Sequence, residues 1–326
     1  MLRLSKHKAN KDKNMLLVNV EGWDAGPWIE RFAALMPGRR VVEPTDSFNP
    51  HEVLYAATWK HKPGSLGAYK NLKVIFSLGA GVDHVFLDKN LPNVPVVRIV
   101  DEDLRDRMSE WVVLHVLLHH RQQRMYDWQQ YEKMWEDDRF QPAAKDVRVG
   151  VMGLGVLGKD AALKLAAIGF DVAGWSRSAK EIDGIESFEG DELDEFLGRT
   201  DILVSLLPLT DETRGMLNRA LFEKLAKDGR LGGPILINAG RGGSQVEADI
   251  VACLEDGTLK AATLDVFAVE PLPQDSPLWH HPRVTITPHN SAISDPGALA
   301  AYIARQVEAF EAGKPLQNVV DVKRGY

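Results

Sequence analysis

A glycine-rich turn near the middle of the chain constrains the fold more than any other feature of the sequence. Gly153, Gly155 and Gly158 follow an apolar, strand-like run at 147–152 and open a helical pattern at 156–168. In this strand–turn–helix setting the spacing is typical of dinucleotide-binding units, where glycines let the backbone approach a pyrophosphate at a helix N-terminus. The alternative is a glycine-rich turn without a ligand.

The residues after the next strand indicate which dinucleotide is bound. Sites for NAD place a carboxylate roughly twenty residues after the turn, but the segment GWSRS ends with Ser176, Arg177 and Ser178. A guanidinium and two hydroxyls suit a 2′-phosphate, because arginine binds phosphate through bidentate, charge-assisted hydrogen bonds. We therefore expect a preference for NADP(H), with NAD(H) used at lower efficiency. The alternative is a solvated Arg177 and equal use of both cofactors.

Short apolar runs alternate with longer amphipathic segments on both sides of the turn. Strand-like runs occupy 16–20, 39–43, 53–58, 72–79 and 94–100 in the first part, and 147–153, 170–175, 201–208, 234–240, 261–267 and 284–289 in the second. This rhythm predicts an α/β protein with two Rossmann-like or flavodoxin-like doubly wound parallel-sheet domains and an interdomain cleft. A helical pattern at 103–133, with no glycine or proline, separates the two series.

The central position of the turn predicts how the chain divides. A dinucleotide domain that begins near the middle must follow another domain, so we expect the site in a cleft between the two. The predicted bounds are 15–118 plus 305–326 for a substrate (catalytic) domain, and 119–304 for the dinucleotide-binding Rossmann domain. Residues 1–14 are basic and polar and are expected to form a disordered extension. The tail after Gly313 is expected to return to the first domain.

Composition argues against several classes of function. The 326 residues, 44% hydrophobic and 26% charged, fit a globular protein of two domains. A net charge of −7 argues against nucleic acid or a membrane surface as the main partner. The single cysteine, Cys253, excludes disulfide scaffolds and zinc clusters, and a buried structural thiol is favoured over a nucleophile. No metal site is predicted, and we expect a cytoplasmic location.

Polar groups follow three strand candidates of the second series. Arg241 follows ILINAG, Asp265 and Glu270 lie in LDVFAVEPLP, and His289 follows VTITP. Ligands bind at the carboxyl ends of the strands in open α/β sheets, so these side chains are candidates for one site. The alternative is an exposed ion pair of Arg241 with Glu270 and a hydrogen-bonded histidine at a strand end.

The chain resembles the D-2-hydroxyacid dehydrogenases, and among them the glyoxylate/hydroxypyruvate reductase A branch. The resemblance extends from about Met15 to Tyr326 and rests on SLGAGVDHV, MGLGVLG, GWSRS, LLPLTDETRGMLN, NAGRGG, LDVFAVEPLP, SPLWHHPRVTITPH and KRGY. Asn290 and the basic N-terminal extension depart from the pattern. The resemblance implies NADPH-dependent reduction of small 2-oxo acids, glyoxylate to glycolate and hydroxypyruvate to D-glycerate. It also implies a homodimer built around the helical region 104–132.

The resemblance assigns catalysis to Arg241, Glu270 and His289. A protonated His289 would donate a proton to the oxygen that becomes negative when hydride reaches the carbonyl carbon. Glu270 would orient the imidazole and favour its charged form. Arg241 would bind the substrate carboxylate or polarise the carbonyl, which lysine, a point charge, would do less well.

The resemblance also implies two sets of binding residues. Backbone N–H groups of Ala80 and Gly81 would take the substrate carboxylate, since small residues expose amides as an anion site. Trp59 would be an aromatic pocket residue, or otherwise a core tryptophan. The cofactor set comprises Gly153, Gly155, Val156, Leu157, Gly158, Ser176, Arg177, Ser178, Pro208, Ala239 and Asp265. Asp265 would lie near the nicotinamide carboxamide, or else be a structural turn acid.

Two rival functions remain open. The first is a dehydrogenase of the same family for another 2-hydroxy acid, such as phosphoglycerate. The second is a nucleotide-sensing, non-catalytic binding protein of the same superfamily. The histidines His115 and His119 share a helix face at metal-ligand spacing, but no third ligand is evident in the sequence.

Overall fold

Two parallel β-sheets form the framework of the structure, a computed structural model that describes residues 14–79, 81–139, 141–293 and 295–321. In those ranges the strands are β1 (Met15–Val20), β2 (Val41–Val42), β3 (Val53–Trp59), β4 (Val74–Ser77), β5 (Val96–Val97), β6 (Arg148–Met152), β7 (Asp171–Ser176), β8 (Glu186–Glu189), β9 (Ile202–Ser205), β10 (Ile235–Asn238), β11 (Ala261–Leu264) and β12 (Val284–Ile286). The helices are α1 (Gly26–Leu35), α2 (Asp83–Phe86), α3 (Glu102–His120), α4 (Gln123–Tyr131), α5 (Val156–Ile168), α6 (Leu193–Gly198), α7 (Arg219–Phe222), α8 (Glu247–Asp256) and α9 (Pro296–Glu311).

Both sheets are doubly wound, which confirms the predicted fold class. The first sheet has the order β2-β1-β3-β4-β5, which is flavodoxin-like, and all its strands pair in parallel. The second has the order β12-β11-β10-β9-β6-β7-β8 and is also parallel throughout. Its strand order reverses between β6 and β9, and ligands of such sheets bind at the carboxyl ends of the strands at that point.

The described chain divides into two compact units, 14–103 with 295–321 and 104–293. The bounds predicted from the sequence, at 118/119 and 304/305, fall inside α3 and α9. The predicted extension lies outside the described residues except for Asn14. The substrate and dinucleotide roles of the two units remain predictions.

Residues that follow α9 return to the first sheet, as the sequence predicts, as far as residue 321. The backbone N of Val320 donates to the carbonyl of Val96 over 2.8 Å, and the N of Arg98 donates to the carbonyl of Asn318 over 3.1 Å. The guanidinium of Arg39 also binds both carboxylate oxygens of Glu311, at 2.7 and 2.8 Å. These contacts attach the end of α9 and the tail to the first unit.

The sequence pattern predicts one continuous helix at 103–133. This prediction is wrong, because the segment forms two helices, α3 and α4. Gln122 adopts a left-handed conformation with φ of 54°, which is uncommon for a residue other than glycine. Its side chain donates to Asp138, and the side chain of Gln141 donates to the carbonyl of His120 over 3.1 Å. These contacts from distant residues stabilise the break, so the local sequence does not reveal it.

Strand β8 was not predicted, whereas the other strands correspond to predicted runs. Its sequence, ESFE, has one large apolar residue, Phe188, which is buried. β8 pairs with β7 alone and forms the sheet edge, where a strand needs few apolar side chains. No helix in the described part of the chain combines the length and apolar character that a bilayer crossing requires.

Candidate active site

The glycine turn connects β6 to α5 and leaves the N-terminus of that helix open. Gly153 has φ of 100°, and a Cβ added to Gly158 would lie 1.9 Å from the carbonyl oxygen of Gly153. A Cβ on Gly155, the N-cap, would meet no atom within 4 Å, and no side chain caps the helix. The first N–H groups of α5 and the space at Gly155 therefore fit the pyrophosphate of a dinucleotide. Val156 and Leu157 form the first turn of this helix.

The GWSRS segment lies at the carboxyl end of β7. Ser176 is buried and its hydroxyl donates to the carbonyl of Ser178 over 2.8 Å, so it shapes the loop. Arg177 and Ser178 are exposed. The hydroxyl of Thr210 and, more weakly, the charge of Arg177 hold the pKa of Glu212 below its usual range. The cation thus lies within electrostatic reach of the loop after β9, which also contains Pro208.

An imidazole–carboxylate pair lies at the carboxyl edge of the same sheet. His289 Nδ1 is 2.8 Å from Glu270 Oε2, and Glu270 Oε1 accepts a 3.1 Å hydrogen bond from the backbone N of Phe267. Both side chains are partly exposed. A carboxylate partner makes Nδ1 the donor, so Nε2 is the ring nitrogen left to exchange a proton with a ligand.

Asp265 holds the loop that carries His289. Its buried carboxylate accepts hydrogen bonds from the Thr287 hydroxyl at 2.5 Å and from the backbone N of Asn290 and of Ser291, at 2.9 and 3.1 Å. Its carbonyl accepts the backbone N of His289 at 2.8 Å. This pattern matches the structural turn acid that the sequence left as an alternative.

Arg241 follows β10 on a loop that is packed against the loop after β11. Its Nη1 donates to the carbonyl of Gly240 over 2.7 Å, and its carbonyl accepts the Ser244 hydroxyl at 2.6 Å. A Cβ on Gly242 would lie 1.9 Å from the carbonyl group of Phe267. Glycine is therefore required here by contact with protein backbone, and this contact joins the Arg241 loop to the Glu270 loop.

Two buried amides that the sequence did not identify complete this edge. Asn238 Nδ2 donates to Gln245 Oε1 over 2.8 Å, and Gln245 Nε2 donates to the carbonyl of Val266 over 2.9 Å. Asn238 Oδ1 accepts the backbone N of Gly240 at 3.0 Å, while Ala239 is buried beside it. The only sequence signal is that Asn238 ends an otherwise apolar strand.

Two predicted substrate residues of the first unit, Trp59 and Gly81, lie at the end of β3 and after β4. Trp59 ends β3, and its indole covers Gly79, where an added Cβ would lie 2.5 Å from the ring. Trp59 is half-buried and stacks on Trp23, with ring centroids 4.9 Å apart. The carbonyl of Gly81 accepts the Ser77 hydroxyl at 2.9 Å. Ala80 lies outside the described residues.

The remaining titratable candidates have structural surroundings. His115 Nδ1 lies 2.8 Å from the carbonyl of Trp111, and His119 Nε2 lies 2.8 Å from the Thr263 hydroxyl. Desolvation lowers the pKa of His119 to about 3, and no cluster suited to a metal is found among the described residues. Burial raises the pKa of the Cys253 thiol, as expected for a structural cysteine.

Comparison with known proteins agrees with this fold. Residues 113–291 match the family model described as D-isomer specific 2-hydroxyacid dehydrogenase, NAD binding domain. A glyoxylate/hydroxypyruvate reductase A of Yersinia enterocolitica is 42% identical over 320 residues, covering 93% of this chain and 97% of that protein.

Two solved structures are similar over nearly the whole chain. An NADPH-dependent glyoxylate/hydroxypyruvate reductase of Sinorhizobium meliloti, in complex with NADP and sulfate, has 49% identity and a TM-score of 0.90, covering 96% of this chain and 100% of that one. A probable 2-hydroxyacid dehydrogenase of Rhizobium etli, in complex with NADP, HEPES and L(+)-tartaric acid, has 47% identity and a TM-score of 0.91, covering 96% and 99%.

The doubly wound sheet with its glycine turn is typical of dinucleotide-binding proteins. The chain belongs to the D-isomer specific 2-hydroxyacid dehydrogenase family. Its relatives lie in the glyoxylate/hydroxypyruvate reductase A branch, which the sequence motifs predict.

Gly158 has no room for a side chain and Gly155 does, so alanine substitutions at the two positions should affect protein stability differently. Gly158→Ala should lower the free energy of unfolding by about 2 kcal/mol, because overpacking against fixed backbone costs roughly 1–3 kcal/mol. Gly155→Ala, whose Cβ enters open space, should change it by less than about 0.5 kcal/mol. Urea denaturation of both variants checks this, and a Gly158→Ala protein as stable as the wild type would contradict the close contact with Gly153.

Asp265→Asn should also destabilise the protein. The NH2 group of asparagine would face a backbone N–H that now donates to the carboxylate, so this hydrogen bond would be lost. A buried polar group left without a partner costs roughly 1–3 kcal/mol. We expect a loss of about 2 kcal/mol in urea denaturation, against less than about 0.5 kcal/mol for the exposed control Asp275→Asn. Equal stability of the two variants would contradict the role of Asp265 in holding the His289 loop.

Proposed function

We propose that this protein is an NADPH-dependent reductase of small 2-oxo acids, which converts glyoxylate into glycolate and hydroxypyruvate into D-glycerate. The observation that carries the proposal is the His289–Glu270 pair at the carboxyl edge of a dinucleotide-type sheet, with Arg241 on a loop attached to the same edge. Relatives named glyoxylate/hydroxypyruvate reductase A, 38–42% identical to the chain, support the substrate class.

The cofactor would be held by the glycine turn and the GWSRS loop. The N–H groups at the start of α5 suit the pyrophosphate, and Arg177 with Ser178 suits the 2′-phosphate. Val156, Leu157, Pro208 and Ala239 complete the proposed set, with Asp265 acting through the loop that it holds. When bound, NADPH supplies the hydride. NAD(H), which lacks the 2′-phosphate, would be used at lower efficiency.

His289 would act as the general acid. Glu270 fixes the imidazole through Nδ1, so Nε2–H is positioned to protonate the substrate oxygen as negative charge develops there. The fold sets the position of the His289 backbone, which has a left-handed conformation with φ of 51° on the loop held by Asp265.

Arg241 would bind the substrate carboxylate or polarise the carbonyl by electrostatic stabilisation. We assign the substrate (catalytic) role to the first unit, where Gly81, Ala80 and Trp59 would contact the substrate. We include a cytoplasmic location in the proposal, since the single buried cysteine suits a reducing compartment.

One absorbance assay at the nicotinamide band tests the reaction and the cofactor preference. With glyoxylate or hydroxypyruvate, NADPH oxidation should be catalysed with a kcat/KM at least about tenfold above that for NADH, the equivalent of about 1.4 kcal/mol from contacts to the 2′-phosphate. Equal kcat/KM values for the two cofactors would contradict the preference. Nucleotide binding without turnover would favour the nucleotide-sensing alternative.

His289→Ala should separate chemistry from binding. We expect kcat to fall by about 10²–10⁴-fold, the usual contribution of a general acid, with the Kd of NADPH within about twofold of the wild type. The control is His280→Ala, which removes an exposed histidine and should leave kcat unchanged. Stopped-flow kinetics and NADPH fluorescence titration provide the two measurements. Near-normal turnover of the first variant would remove His289 from the mechanism.

We propose further that the protein is a homodimer assembled through the region of α3, α4 and the segment after α4. Five large apolar side chains are exposed there: Leu114, Trp128, Tyr131, Met134 and Trp135. Four of them fall within eight consecutive residues, and exposed apolar clusters of this kind mark protein interfaces. The family resemblance implies the same region.

Sedimentation velocity tests the dimer. The wild-type protein should sediment with twice the chain mass at micromolar concentration, and Trp128→Glu/Trp135→Glu should sediment as a monomer, because buried unpaired charges are strongly disfavoured at an interface. Leu87→Glu, at an exposed position of the first unit, is the control and should remain dimeric. A dimeric double variant would place the interface elsewhere.

A further inference from the structure

A carboxylate from the edge strand holds the loop that follows β7. Glu189 ends β8 and lies opposite Ser176 in the parallel pairing of β7 with β8. Its Oε2 accepts a 2.7 Å hydrogen bond from the backbone N of Ala179, three residues beyond Ser176. The loop that carries Arg177 and Ser178 is therefore attached to the strand beside it.

The orientation of the Glu189 side chain is itself fixed. It also accepts a hydrogen bond from the backbone N of Glu192, and Glu192 Oε2 accepts the backbone N of Glu189 at 2.8 Å, a reciprocal capping box. Trp175 Nε1 donates to the carbonyl of Gly190 over 3.3 Å, which adds a second link between the two strand ends. Two N–H donors thus partly offset the carboxylate charge close to the loop.

The placement of this carboxylate differs from that of the acid in an NAD site. An NAD-type acid comes at the end of the second strand of the unit and binds ribose hydroxyls. Here Ser176, Arg177 and Ser178 occupy that position. The acid is Glu189 at the end of β8, the next strand of the sheet, and its Oε2 accepts from the backbone N of Ala179. Residues 177–180 are exposed, so few packing contacts constrain them, and a hydrogen bond to a charged acceptor is among the stronger constraints available.

We propose that Glu189 is a positioning residue for recognition of the cofactor 2′-phosphate. It holds the backbone from Ser176 to Ala179 in one conformation, so that Arg177 and Ser178 meet the phosphate without first ordering the loop. The inference rests on the proposed preference for NADP(H). Glu189 would thus contribute to the selectivity for NADP(H) by holding the loop at 176–179, while Arg177 and Ser178 would contact the phosphate.

Three variants of the full-length protein test the proposal by direct binding, without turnover. Glu189→Ala removes the acceptor, and Glu189→Gln retains an oxygen that can accept from Ala179. Glu186→Ala is the matched control, because Glu186 is exposed on the same strand and its carboxylate lies 3.6 Å from Arg199 Nε. The probes are adenosine 2′,5′-bisphosphate, which carries the 2′-phosphate, and adenosine 5′-monophosphate, which lacks it. Isothermal titration gives both dissociation constants.

For Glu189→Ala we expect the affinity for the bisphosphate to fall about tenfold, which is the effect of losing one hydrogen bond to a charged group at an exposed site. The affinity for the monophosphate should change by less than about twofold. Glu189→Gln keeps one oxygen for Ala179 but turns its NH2 group towards the backbone N of Glu192, so it should lose less affinity for the bisphosphate than Glu189→Ala. Glu186→Ala should stay within about twofold of the wild type for both probes. Hydrogen exchange should show faster exchange at Ala179 in Glu189→Ala alone. That readout reports the loop itself, and thermal unfolding verifies that each variant is folded.

The outcomes distinguish failure of the Glu189 proposal from failure of the proposed NADP(H) preference. If the wild-type protein binds the two probes equally, the NADP(H) preference itself is wrong. If it prefers the bisphosphate but Glu189→Ala retains that preference, the role of Glu189 is wrong. Equal losses for both probes, or a Glu189→Gln protein as impaired as Glu189→Ala, would likewise overturn positioning through the Ala179 hydrogen bond.

Discussion

The buried carboxylate of Asp265 is the interaction on which the proposed chemistry depends. A buried carboxylate without hydrogen-bond donors would be very unfavourable, but three donors from the loop after β12 satisfy it. The same loop holds His289 at a positive φ, a conformation that costs a non-glycine residue on the order of 1 kcal/mol. The hydrogen bonds to Asp265 offset that cost, so the imidazole is positioned before any ligand binds.

Backbone contacts also connect the loops that follow β10 and β11 at the carboxyl edge of the second sheet. The close approach of Gly242 to Phe267, and the hydrogen bond from Phe267 to Glu270, connect the loops of Arg241 and of the His289 partner. Preorganisation of this kind is what electrostatic stabilisation of a developing charge requires, since donors that are already in place need not reorganise during the reaction. The glycines of the NAGRGG segment thus serve the packing of the site.

Much of this could be predicted from the sequence, for identifiable reasons. Buried parallel strands are continuous apolar runs, and the helix at 156–168 follows a glycine turn with few geometric solutions, so both were located correctly. The break at Gln122 and the edge strand β8 were missed, because distant side chains stabilise the first and the second buries little. The sequence left the role of Asp265 open between two alternatives and did not indicate that of Glu189, because their hydrogen-bond partners lie on loops that only the folded sheet brings beside them.

We propose that His289, oriented by Glu270, donates the proton in reduction of a 2-oxo acid. The most direct measurement is a crystal structure of the protein with NADP⁺ and oxamate, an unreactive isostere of a 2-oxo acid. We expect His289 Nε2 within hydrogen-bond distance, about 2.6–3.2 Å, of the oxamate oxygen that replaces the keto oxygen, with Nδ1 still bonded to Glu270. An imidazole turned away from that oxygen, with another donor in its place, would show that His289 is not the general acid.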